Sequence, residues 1–230
     1  MEITRTPEGC TVLPDSPHVD RVLLEYEPGR WEDDSGRCTV FFRDGNTASF
    51  AWKWEHYHVW VYGLCFSEDG KILYTGDWYK GLYAIDSRSG ETLWHYRPAK
   101  IRGIFVFPGY LLALRCCSSL VKLDLHTGEL LGELTGRSLE HCWRLDGRHV
   151  LLDSRNGRLC AIDTETLETV KTYRISGAGS LVNPRDCLAL AIRKAWLEAG
   201  KLYISGFEEY PGRDPSAEGS TQFVRELDWL

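Results

Sequence analysis

One segment recurs three times in this chain, and that recurrence limits the possible folds more than any other feature. The stretch from Gly81 to Trp94 (GLYAIDSRSGETLW) returns as Ser119 to Leu131 (SLVKLDLHTGELL) and again as Arg158 to Val170 (RLCAIDTETLETV). The aspartates fall at 86, 124 and 163, so the period is 38 and then 39 residues. Each copy reads as a strand, a four-residue turn opened by Asp, and a second strand. The Asp carboxylate can accept hydrogen bonds from turn amides, and Gly90 and Gly128 suit a left-handed backbone position. A period near 40 predicts one supersecondary unit repeated along the chain, each copy burying its faces on its neighbours.

Elsewhere, apolar runs rich in Val, Ile, Leu, Tyr and Trp are broken by Gly, Asp, Asn and Ser, which is strand and turn chemistry. Glu68-Asp69-Gly70, Asp44-Gly45-Asn46 and Arg155-Asn156-Gly157 stand between such runs, where tight turns need residues that tolerate positive φ. Only Ala189 to Ala199 has the composition of a helix. The chain is expected to be all-β.

A strand ending in Asp, a Ser-Gly or Thr-Gly turn and a strand carrying Trp resembles the pyrroloquinoline-quinone-type repeat of β-propellers, a WD-like repeat architecture. Gly81 to Trp94 matches that pattern almost completely. The copies at Asp124 and Asp163 lack the Trp, and the Asp163 copy also lacks the Gly. The resemblance implies a fold and says nothing of chemistry.

Two further units complete the series. Lys201 to Gly206 repeats Lys71 to Gly76, and Phe223 to Asp228 repeats the Asp-ended strand, with an insertion at 208–220 between them. Toward the front, Cys10 to Leu13, Arg21 to Tyr26, Cys38 to Arg43 and Thr47 to Lys53 supply four strands. The last unit has no outermost strand of its own, and Glu2 to Thr6 looks like Glu168 to Thr172. The expectation is therefore an all-β, five-bladed β-propeller of four-stranded antiparallel blades forming a single domain over 1–230. Its blades are 10–54, 58–97, 100–135, 139–174 and 186–230, and the N-terminal strand 2–6 closes the last of them. A two-sheet sandwich is the alternative that period-two patterning leaves open.

Charge and cysteine usage then narrow the function. Twenty-seven basic against thirty-three acidic side chains give a net charge of -6 with no Lys/Arg cluster, which argues against nucleic acid as a partner. The chain opens without a basic start and apolar run, and no stretch approaches the roughly 18 apolar residues of a membrane span. Neither export nor membrane insertion is expected, and the expected location is cytoplasmic. The eight cysteines, at 10, 38, 65, 116, 117, 142, 160 and 187, sit mostly inside strand-like runs and form no CxxC. Buried reduced thiols are expected, with no structural zinc and no cofactor.

In such a ring, function is expected at the central channel and on one rim, where connections gather. Trp52, Trp60, Trp94 and Trp143 read as packing between blades. Tyr57, Asp77, Trp78, Tyr79, Arg102, His141 and Arg155 form the candidate binding set, because Trp, Tyr and Arg anchor interfaces with much buried area and a polar end. His56 and His58 are weak metal candidates without a third ligand at defined spacing. The adjacent Cys116-Cys117 looks like the vicinal pair of quinone-dependent dehydrogenases, but the calcium ligands those enzymes need have no counterpart here. No GxSxG, HExxH or P-loop occurs. The expected function is a non-enzymatic interaction module gripping a protein or peptide, in a narrower form an immunity or antitoxin partner whose acidic charge suits a basic toxin. The alternative is a small-molecule or glycan binder or a glycoside hydrolase, with Asp77, Asp153, Glu140 and Glu208 as candidate carboxylates.

Overall fold

The computed structural model describes residues 2–6, 9–26, 34–54, 64–77, 80–98, 100–116, 118–136, 139–154, 158–174, 189–209 and 221–229. Every regular element among them is a strand. The first sheet joins β1 (Glu2–Thr6), β2 (Gly9–Leu13), β3 (Val19–Tyr26), β4 (Asp34–Phe42) and β5 (Thr47–Trp54) in that order. The second holds β6 (Leu64–Phe66), β7 (Ile72–Asp77), β8 (Gly81–Asp86) and β9 (Thr92–Tyr96). The third holds β10 (Ile101–Phe107), β11 (Tyr110–Arg115), β12 (Ser119–Asp124) and β13 (Leu130–Thr135). The fourth holds β14 (Leu139–Arg144), β15 (His149–Ser154), β16 (Arg158–Asp163) and β17 (Thr169–Arg174). The fifth has three strands, β18 (Ala189–Glu198), β19 (Lys201–Glu209) and β20 (Thr221–Asp228).

One expectation is corrected here. The N-terminal strand does not complete the last sheet: β1 pairs antiparallel with β2, Glu2 opposite Leu13 through Thr6 opposite Gly9. Only residues 7 and 8 separate the two strands, so this hairpin carries far less closure entropy than a pairing with β20 at the other end of the chain. The helix-like composition of Ala189 to Ala199 is overridden. Ala199 and Gly200 take φ of 49° and 75°, the two-residue hairpin geometry, and Glu198 pairs with Lys201 beyond them.

The three repeat turns share one hydrogen-bond scheme. Asp86 Oδ1 accepts from the amides of Arg88 and Ser89 at 3.0 and 2.7 Å. Asp124 Oδ1 accepts from His126 and Thr127, both at 2.8 Å, and Asp163 Oδ1 from Glu165 and Thr166 at 2.9 and 3.1 Å. The Ser89 amide, more than any other partner, holds the Asp86 carboxyl below its usual range, as the Thr127 amide does for Asp124. The residue four after each Asp is left-handed: Gly90 at 76°, Gly128 at 71° and Leu167 at 60°.

The chain forms two compact units, Met1–Arg115 with Val121–Leu131, and Cys116–Leu120 with Gly132–Leu230. In the first, Val12, Val22, Leu24, Cys38 and Val40 of the first sheet pack on Leu64, Phe66, Leu73 and Ile85 of the second. The other face of the second sheet, Tyr74, Leu82, Ala84 and Trp94, packs on Ile101, Ile104, Leu111, Ala113, Val121 and Leu123. The second sheet is thus buried on both faces, which is why β8 reads as a nearly continuous apolar run rather than an alternation. In the second unit, Leu151, Leu159, Ala161 and Tyr173 meet Ile192, Ala195, Leu202 and Ile204 between the fourth and fifth sheets. Each such large aliphatic side chain contributes roughly 1.5–3 kcal/mol by leaving water.

Candidate functional site

The leading strands β10, β14 and β18 carry the same irregularity. Each shifts register near its start, between Ile101 and Gly103, between Leu139 and His141, and between Ile192 and Lys194. A bulge leaves one residue out of the ladder and turns a neighbouring side chain away from its regular direction. The residue at the shift is Arg102 in β10, where it is half-buried, and Glu140 and Arg193 in the other two strands.

In β14 the shift sets His141 opposite Asp153 of β15. His141 Nδ1 lies 3.5 Å from Asp153 Oδ2, beyond a good hydrogen bond, and among the described residues Nδ1 is a buried nitrogen without a hydrogen-bond partner. The imidazole stacks on Trp143, centroids 5.7 Å apart with ring planes at 25°. Trp143 in turn packs against the core between the fourth and fifth sheets, so the stack is held from behind. Asp153 is 18% exposed and His141 44%, which leaves the imidazole accessible above a sheltered carboxylate. The stack on Trp143, rather than the long approach to Asp153, sets the imidazole orientation and leaves part of the ring exposed. Between these residues Cys142 occupies the other face of β14, where burial pushes its thiol well above the ordinary range and keeps it unreactive.

Of the candidate set, Arg102 and His141 are placed. Tyr57, Trp78, Tyr79 and Arg155 lie outside the described residues, as do the metal candidates His56 and His58 and the side chain of Asp77. Among the four candidate carboxylates only the Asp153 side chain is described, and it faces His141. Glu140 and Glu208 belong to β14 and β19, but their side chains are outside the described residues. Cys117 is outside the described residues, and Cys38, Cys65, Cys116, Cys142 and Cys160 form no disulfide, Cys38 and Cys116 being buried. Burial pushes the Cys65 thiol up to about 12. Among the described residues no group of three or more His, Cys, Asp or Glu side chains could hold a metal ion, and no helix is long and apolar enough to cross a membrane. Sequence reasoning missed the seating of His141 on Trp143, which stand two apart in one strand and so share a face.

No protein-family model matches the chain, and no curated protein matches its sequence. Solved structures do. BamB from Moraxella catarrhalis superposes on 99% of this chain and 61% of its own at 18% identity, with a TM-score of 0.55. The WD40 domain of Toxoplasma gondii coronin matches 93% of this chain and 57% of its own at 12% identity and a TM-score of 0.61. The β-propeller domain of Myceliophteria thermophila Cps50 (Swd1) matches 99% and 74% at 14% identity and 0.55. This chain therefore spans less than two thirds of the first two. The fold is that of a β-propeller, built from five successive antiparallel sheets, with the resemblance to the quinone-type and WD-like repeats carried by the Asp-opened turns.

Proposed function

We propose that this protein is a non-enzymatic interaction module, a small cytoplasmic β-propeller whose bulged leading strands and adjoining loops bind a protein or peptide. The observation that carries the reading is His141: a half-exposed imidazole, stacked on an anchored Trp143, with a buried nitrogen that no described group satisfies. A partner's donor or acceptor can reach only the exposed part of that ring, since Nδ1 is turned toward Asp153 and buried. Arg102 stands at the corresponding bulge of β10, and Tyr57, Asp77, Trp78, Tyr79 and Arg155 remain candidates by residue type, of the kinds that dominate interface energetics. The net charge of -6 favours a basic protein over nucleic acid, and an immunity or antitoxin role is the narrower form of that reading.

The test is quantitative affinity capture with the wild type and with Arg102→Ala and His141→Ala, each first shown to melt as the wild type does. Partners enriched by the wild type and lost by both variants support the module. Partners retained by both variants remove these residues from the interface.

A further inference from the structure

The fifth sheet is one strand narrower than the three sheets before it, and the strand it lacks is the outermost. In the second and fourth sheets a fourth strand runs beside the Asp-ended third strand, setting Trp94 opposite Ala84 and Lys171 opposite Ala161. The matching third strand of the fifth sheet is β20, and among the described residues it pairs with β19 alone.

The register fixes which way its main chain points. Glu198 and Lys201 flank the two-residue turn and form a hydrogen-bonded pair, so along β19 successive residues bond to opposite sides. Lys201 bonds toward β18, and Leu202 and Ile204 bond toward Leu227 and Arg225 of β20. The N–H and C=O groups of Val224, Glu226 and Asp228 are left pointing out of the sheet edge. The Asp228 carbonyl is met there by the fourth sheet, accepting from Lys171 Nζ at 2.8 Å and from the Tyr173 hydroxyl at 3.1 Å. β17 thus closes one end of the edge. The groups of Val224 and Glu226 find no main-chain partner among the described residues.

Bare edges are ordinarily shortened, bent or charged against pairing. β9, β13 and β17 have five or six residues, and β9 and β17 join their neighbours through a register shift. β5 is as long as β20 but carries Lys53. β20 runs eight residues, TQFVRELD, without Gly, Pro or Lys, and pairs with β19 without a shift.

We propose that the free edge of β20 binds an extended segment of another protein, which adds to the fifth sheet as its fourth strand. The main chain supplies affinity and the alternate side chains supply choice. Guest residues opposite Arg225 and Leu227 turn toward the fourth sheet, where Arg225 and Lys171 are cationic and Leu227 joins the core. Hydroxyl, carboxylate or apolar side chains fit there. The guest residue opposite Glu226 turns to the other face, where Glu198, Glu226 and Asp228 stand with Lys194 and Lys201, and this excess of carboxylates suits Lys or Arg. The outermost strand of the fourth sheet has this arrangement already, with Lys171 and Thr172 opposite Ala161 and Cys160, the counterparts of Glu226 and Arg225. This contact is separate from the surface proposed above, on β20 and not on the leading strands.

The probe is a fluorescein-labelled peptide of residues 168–174, ETVKTYR, titrated with the full chain and read by anisotropy. Saturable binding is expected. The same peptide N-methylated at Lys171 and Tyr173 keeps every side chain but cannot donate to the edge, so it should bind about tenfold more weakly or worse. Val224→Pro removes an outward amide without touching a bond to β19 and should weaken binding as much, whereas Val224→Thr keeps the amide and should bind as the wild type does. His141→Ala should also bind unchanged, which separates this edge from the leading-strand surface and leaves that surface to its own capture experiment. No saturation up to about 1 mM, equal binding of the N-methylated peptide, or binding lost in His141→Ala would overturn the proposal. So would a wild-type mass of twice 26.3 kDa that Val224→Pro returns to 26.3 kDa, because a second copy would then hold the edge.

Discussion

The indole Nε1 of Trp94 donates to the carbonyl of Leu125 at 3.0 Å, tying the last strand of the second sheet to the repeat turn of the third. The Tyr74 hydroxyl donates to the same carbonyl at 3.2 Å. At the corresponding place in the fourth sheet stands Lys171, whose Nζ donates to the carbonyls of Asp228 and Trp229 at 2.8 and 3.3 Å. In the fourth sheet the position equivalent to the repeat's Trp thus still donates to the next sheet's turn after the residue has changed, whereas in the third sheet it is Gly132, which has no side chain to donate.

Trp94→Ala should cost about 3–5 kcal/mol, the loss of a buried aromatic with its cavity. Trp94→Phe keeps most of the area, and Tyr74 still satisfies the Leu125 carbonyl, so its cost should be about 1 kcal/mol. Urea unfolding of the two variants checks the ratio, and equal costs would mean that packing is not what Trp94 supplies.

The sequence makes the three turn aspartates equivalent, but the structure separates them. Asp163 is buried at 6% exposure and its Oδ2 also accepts from Arg148 Nε at 2.7 Å. Asp163→Ala should cost about 2–3 kcal/mol, the scale of a sheltered hydrogen bond to a charged group, and Asp86→Ala about 1 kcal/mol after solvent screening. Thermal denaturation at neutral pH gives both values.

Acid should unfold the protein through the repeat turns and the Ser67–Lys71 turn between β6 and β7. The Ser67 hydroxyl, ahead of the Lys71 contacts, holds the Asp69 carboxyl down at about 2, and Asp86 and Asp163 are also lowered. A folded value below the unfolded 3.8 means that the stabilisation is complete above that pH and is lost as pH falls toward about 2. Stability should be level from pH 5 to 7, by this linkage, and fall below about pH 4. Asp69→Asn should flatten the fall.

Size is exchanged between sheets at the third copy of the turn. Leu167 carries the strained φ of 60° where Gly90 and Gly128 stand in the others, and its Cδ1 comes within 3.0 Å of a side chain built at Gly132, the position equivalent to Trp94. Gly132→Trp alone should be destabilising because it meets Leu167. Combined with Leu167→Gly, which also removes about 1–2 kcal/mol of left-handed strain, it should cost less than the sum of the two single changes. Additive costs in the double-mutant cycle would show that the two positions do not touch.

What could be read from the sequence was local. The turns are legible because Asp carboxylates and left-handed glycines act within five residues, and the strand ends follow from them. Which partner β1 takes was not legible, because Glu2 to Thr6 alternates equally well beside β2 or β20, and only the shortness of the connection decides. The helix-like composition of Ala189 to Ala199 yields to a strand, as the all-β reading expects; the Ala199-Gly200 dipeptide between two apolar runs is the signal that sets Trp196 opposite Tyr203. At the candidate site, Arg102 and His141 could be nominated by residue type, but the register shift that aims them depends on neighbouring strands.

The central question for this protein is whether its surface binds or catalyses. The decisive measurement is quantitative capture from native lysate by wild type, Trp78→Ala and His141→Ala, beside Asp77→Asn and Glu140→Gln, with glycoside turnover assayed on the same preparations. The account predicts that Trp78→Ala and His141→Ala weaken the captured complex by about 1–3 kcal/mol each with folding intact, and that the two carboxylate changes matter little. Glycoside turnover by the wild type that falls a hundredfold or more in a carboxylate variant, as loss of a general acid or base does, would contradict it.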